Sequence, residues 1–60
     1  MDRLVFEQNK NKQVTITLKP NAFRLTGMIL NVFEDCIEFQ TPQKSAFIDF
    51  TSVMSLIPME

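Results

Sequence analysis

Val14-Thr15-Ile16-Thr17-Leu18-Lys19 alternates strictly between apolar and polar side chains. A period of two places Val14, Ile16 and Leu18 on one side of an extended chain and the threonines and lysine on the other, the pattern of a half-buried strand. A second extended run, Phe23 to Val32, follows across Pro20-Asn21-Ala22, where proline presets φ and Asn21 tolerates a left-handed conformation. An all-β fold is therefore expected. At 60 residues, such a sheet hides only about 60% of the surface its unfolded chain exposes, and its core is thin. Cys36 is the sole cysteine and histidine is absent, so neither a disulfide within the chain nor a metal site supplements that core. Self-assembly is the remaining supplement. The 45% apolar content, with six Phe and four Met, is high enough that part of it is expected at an interface.

One domain spanning residues 1–60 is expected, with a short helix over about 2–10 and strands over about 13–19, 23–32, 35–40, 45–50 and 53–57. Asp2 is placed to cap the helix, Asn9 to Lys12 form a polar exit, and Leu4, Val5 or Phe6 must anchor two turns that are unstable alone. Gly27, the only glycine, lies inside the second strand, where it costs stability unless a bend or a close backbone approach requires it. A sheet curling into a barrel requires such a bend. In Cys36-Ile37-Glu38-Phe39-Gln40 either side of Glu38 can face inward. Thr41 to Lys44 read as a loop, and Pro58 stops the last strand. Tight turns between five short strands fit a small barrel.

The formal net charge is −1 and the pI about 5.2, so the chain as a whole is no electrostatic match for nucleic acid. Any such binding must use local patches. Arg3, Lys10, Lys12, Lys19 and Arg24 fall in the first half, and no positive charge follows Lys44. No apolar run reaches the eighteen or so residues of a membrane span, and Asp2 and Glu7 stand where a secretion signal would not place them. A cytoplasmic protein is expected, in keeping with a single free thiol. With no histidine and no nucleophile beside a base, neither an enzyme nor a cofactor is expected. Cys36 reads as a small buried apolar residue, since no neighbouring cation activates it.

The order of helix, bent strand with an interior glycine, short loops and a terminal pair of strands resembles the Sm-like family, and within it the Hfq branch of bacterial RNA chaperones. Val14-Thr15-Ile16 followed by Asn21-Ala22-Phe23-Arg24-Leu25-Thr26-Gly27 is similar to the family's first motif, and Phe47-Ile48 with Val53-Met54-Ser55 to its second. Lys44 matches a lysine in the loop before the fourth strand. The resemblance covers residues 14–57 and implies a homohexameric ring, the fourth strand pairing with the fifth of the next subunit, that binds RNA in post-transcriptional regulation. Departures are as informative. One residue is inserted at Lys19-Pro20, and Ala22 replaces a glycine. Asp49-Phe50-Thr51 stands where the family carries tyrosine, lysine and histidine, and Asp35 where it carries an aromatic. The family's uridine pocket near the pore is thus expected to be degraded. The helix is shortened relative to the family, and its usual glutamine has no counterpart.

The resemblance further implies RNA contacts on the distal face from Lys19, Asn21, Phe23, Arg24 and Thr26, although Thr17 replaces a stacking aromatic worth about 1–3 kcal/mol per base. Phe23 either stacks on a base or begins the core of its strand. Lys19 and Arg24 either meet phosphates, multiplied by a ring, or are solvated charges. Arg3, Lys10 and Lys12 form either a basic rim for RNA or simple solubilising charge. Asp49, Phe50 and Thr51 occupy the pore-proximal loop, unless Phe50 packs against a neighbouring subunit. Val53, Met54, Ser55 and Leu56 border the subunit interface, so Val53→Asp is expected to split the ring. Two other functions remain open: a structural or protein-interaction ring that has lost RNA binding, and a monomeric adaptor related to SH3 domains, which the missing Trp and Tyr disfavour.

Overall fold

The alternation of the first strand becomes an alternation of burial: Val14 and Ile16 are fully buried, whereas Thr15 and Thr17 are only partly covered. A computed structural model describes residues 1–59 and contains, in chain order, α1 (Arg3–Gln8), β1 (Gln13–Leu18), β2 (Phe23–Val32), β3 (Cys36–Gln40), β4 (Ser45–Asp49), a 3-10 turn (Phe50–Ser52) and β5 (Val53–Pro58). The strands form one antiparallel sheet in the order β4-β3-β2-β1-β5. The helix followed by five strands is the architecture the sequence leads one to expect.

The ten-residue β2 joins the two halves of the sheet, pairing with β1 from Phe23 to Met28 and with β3 from Met28 to Val32. Two features bend it. A β-carbon on Gly27 would overlap the Gln40 carbonyl oxygen and lie 2.9 Å from its carbon, so only glycine permits β3 to approach this closely. Beyond it, the ladder to β3 shifts register between Ile29 and Asn31, the bulge that increases local twist. The curl wraps the sheet around Phe6, Val14, Ile16, Ile29, Ile37, Phe39 and Val53. On β3 it is Ile37 and Phe39 that face inward.

The differences from the sequence reading have local causes. The helix is shorter than 2–10: Asn9 has left helical geometry at φ −110°, Asn11 adopts φ 64°, and Lys10 makes an isolated bridge to Ile29. Asp2 occupies the N-cap position without a side-chain cap bond; Asn9 Nδ2 donates to the Val5 carbonyl at 2.8 Å at the other end. Phe6 is the anchor, its ring stacked on Phe50 with centroids 4.9 Å apart and planes 19° apart. In the β1–β2 turn, which contains a cis Lys19–Pro20 bond, Ala22 rather than Asn21 is left-handed, at φ 56°. Cys36 is half-buried on the outer face, because β3 gives its inner face to the larger Ile37 and Phe39. Phe50 leaves the strand for the 3-10 turn. Val53 is 3% exposed within its own chain, so a charge there strikes the core before it reaches any neighbour.

Candidate nucleic-acid interface

The β1–β2 register sorts the expected distal residues onto two surfaces. Leu18 pairs with Phe23, Thr17 with Arg24, and Thr15 with Thr26. Directly opposed residues share a face, so Arg24 and Thr26 stand on the outer side with Thr15 and Thr17, and the Thr15 and Thr26 hydroxyls lie 3.1 Å apart. Phe23 points to the inner side with Leu18 and Leu25, yet the ring is 59% exposed because it stands at the mouth of the barrel. It is not a core residue. Lys19 and Asn21 are exposed in the turn beside it.

Phe23 and Leu25 line a pocket of about 330 Å³ that Phe39 and Ile48 close from β3 and β4. Its polar rim comes from Thr41, Gln43 and Lys44. The loop carrying them is ordered by one side chain: Thr41 Oγ1 donates to the Lys44 carbonyl at 3.0 Å and accepts from the backbone N–H groups of Gln43 and Lys44 at 3.3 and 3.2 Å. With the Thr41 hydroxyl spent on the loop, the aromatic wall, apolar floor, Gln43 amide and Lys44 ammonium remain, groups able to meet the face and edge of one nucleobase and its phosphate. Sequence reasoning passed over Thr41 and Gln43, which carry no signal beyond loop composition. Only the curl of β2 brings them to Phe23.

The basic residues near the N-terminus do not act alike. Arg3 Nε is paired with Glu7 Oε2 at 2.9 Å, so part of its charge is already answered. Lys10 is exposed where the chain bridges to Ile29, and Lys12 lines a separate groove with Asn9, Gln13 and Pro58. At the 3-10 turn, Phe50 is turned inward onto Phe6, its N–H donates to the Asp35 carbonyl at 3.0 Å, and its own carbonyl accepts from the terminal ammonium at 3.2 Å. Asp49 and Thr51 beside it are exposed. Those three positions thus present a carboxylate and a hydroxyl, with neither a cation nor a free ring.

β4 and β5 end the sheet, each hydrogen-bonded to one neighbour among the described residues. β5 is held to β1 through Val14–Pro58 at one end and Leu18–Val53 at the other, with a register shift that leaves Met54 unpaired between Val53 and Ser55. Met54 and Ile57 are exposed, Ser55 and Leu56 half-buried. Of the four expected interface residues, Val53 is therefore engaged internally and Met54 is the most available. Among the described residues no helix is long and apolar enough to cross a membrane, and no group of three metal-ligating side chains assembles.

No family model matches this chain, and no curated protein does. Among solved structures it is similar to the 1.55 Å crystal structure of "the pleiotropic translational regulator, Hfq", with a TM-score of 0.81 and 17% identity over 93% of this chain and 86% of that one. The fold is Sm-like.

Proposed function

We propose that the protein is an RNA-binding ring acting in post-transcriptional regulation in the cytoplasm, with a degraded uridine pocket. The observation that carries this reading is the exposed Phe23 ring at the mouth of a base-sized pocket edged by Lys44. Lys19 and Asn21 stand beside that mouth in the β1–β2 turn, and Arg24 and Thr26 extend the surface on the outer side of β2, as phosphate and sugar contacts, with Arg3, Lys10 and Lys12 as a weaker rim. The similar solved structure is that of a translational regulator, in line with a role of this kind. Repetition around a ring turns one modest site into several linked ones, which raises avidity without new contacts. The unpaired edges of β4 and β5 favour such closure, since β4 of one subunit and β5 of the next can complete each other's hydrogen bonds. Six subunits are expected.

A second reading, a ring that serves structure or protein contacts and has lost RNA binding, draws on the acidic pI and on Asp49-Phe50-Thr51. Fluorescence anisotropy with labelled oligo-A and oligo-U at low and physiological salt separates the two. Oligo-A is expected to bind, to weaken as salt rises, and to lose affinity by about 1–3 kcal/mol in Phe23→Ala. Oligo-U is expected to bind poorly. Absence of salt-dependent binding to either oligonucleotide leaves the second reading standing alone.

A further inference from the structure

Two phenylalanines remain on the solvent side of the sheet, where they serve no core. Phe33 follows β2 and is 43% exposed; Phe47 lies in β4 and is 70% exposed. Their rings meet across β3 with centroids 5.9 Å apart and planes tilted by 51°. Glu38 pairs with Phe47 and Asp49 with Cys36, while the Phe33 N–H donates to the Cys36 carbonyl, so all of these residues share one outward patch. Glu34 and Asp35 form the turn at its end. Asn31 Nδ2 donates to Glu38 Oε1 at 2.8 Å and fixes that carboxylate on the outer face of β3. The thiol of Cys36 registers this surrounding: burial, then the charges of Asp35 and Asp49, push it above the ordinary thiol range.

Glu38 and Asp49 on the face, with Glu34 and Asp35 in its end turn, thus set four carboxylates around an exposed aromatic pair, against one cation nearby, the terminal ammonium on the Phe50 carbonyl. That charge repels a phosphate backbone, so RNA does not belong on this face. A planar guanidinium satisfies both halves of the patch, because it stacks on an aromatic ring while its N–H groups fork onto a carboxylate; a lysine ammonium, more strongly hydrated and not planar, does this less well. We propose that this outer face docks an arginine-rich segment of a partner protein, its guanidinium groups stacking on Phe33 and Phe47 and pairing with Glu38 and Asp49. Phe47 projects from the face of β4 rather than along its edge, so docking there leaves strand pairing between subunits undisturbed. The inference is independent of RNA binding.

The test uses the full chain and a short fluorescent peptide of alternating Arg and Gly, with Lys-Gly and Glu-Gly peptides alongside. The Arg peptide is expected to bind saturably, to weaken with salt, and to outcompete the Lys peptide; the Glu peptide is expected not to bind. Phe33→Ala and Phe47→Ala are each expected to weaken it about three-fold, and Glu38→Gln with Asp49→Asn to weaken it further. Amide shifts in the unsubstituted protein are expected to cluster at 31–38 and 45–49, which decides the matter even if a variant folds poorly. The proposal is overturned by absence of saturable binding, by shifts centred elsewhere, or by Phe variants that retain full affinity while the charge variants lose it, the behaviour of generic acidic attraction. It is also overturned if sedimentation shows that Phe47→Ala removes a self-association seen without peptide, for then a second copy covers the face.

Discussion

Ala22 holds φ 56°, a conformation that costs a residue with a β-carbon about 1–2 kcal/mol. Glycine removes that cost and returns part of it as unfolded-chain entropy. Ala22→Gly is accordingly expected to raise stability by about 1 kcal/mol, seen as a higher urea midpoint at unchanged slope; a lower midpoint contradicts it. Gly27 is the opposite case. Its space is already taken by the Gln40 carbonyl and by Phe39 Cε2 at 3.1 Å from a β-carbon, and a backbone obstacle does not rotate away. Gly27→Ala is expected to cost about 3 kcal/mol or more, measured by the same denaturation curves. The need for Gly27 was legible because a lone glycine within an apolar strand weakens it unless the backbone bends or is closely approached there. The strain at Ala22 was not, since Asn21 tolerates a left-handed turn better than alanine and local preference pointed to the wrong residue.

The six-residue α1 is too short to persist on intrinsic propensity, and the exposed Arg3–Glu7 pair contributes only about 0.3–0.5 kcal/mol. Phe6 holds it. Phe6→Ala is expected to destabilise the protein by about 3–5 kcal/mol and to release the α1 amides to rapid hydrogen exchange. Leu4→Ala, on the solvent side, is expected to change stability by less than about 0.5 kcal/mol. Three consecutive apolar residues, Leu4, Val5 and Phe6, fit more than one helical phase in so short a segment, so the sequence offered the anchor as one of three. The same ambiguity hid the inner face of β3, where Cys36, Ile37 and Phe39 compete and the two larger side chains win the core.

Among the described residues, the sheet closes around a core of seven buried side chains yet leaves Met54, Ile57 and the edges of β4 and β5 open. Sedimentation is expected to give a species near six times the 7.0 kDa subunit, and Met54→Arg to shift it toward monomer without loss of the β-sheet circular dichroism. Val53→Asp is expected to do something else, unfolding the subunit, because Val53 belongs to the monomer core. A Met54→Arg protein that still sediments as the ring places the interface elsewhere. The strands, their order in the chain, the turn positions and the bend in β2 were readable from residue spacing, since extended runs, their breaks and a lone interior glycine are local features, whereas the inner face of β3 was not. The tertiary structure alone decided that Phe23 shares a pocket with Lys44, that Phe50 belongs to Phe6, and that Phe33 meets Phe47 across β3. Those meetings depend on how far β2 curls at Gly27 and slips at its bulge, and that is set by contacts between segments far apart in the chain, which no local periodicity encodes.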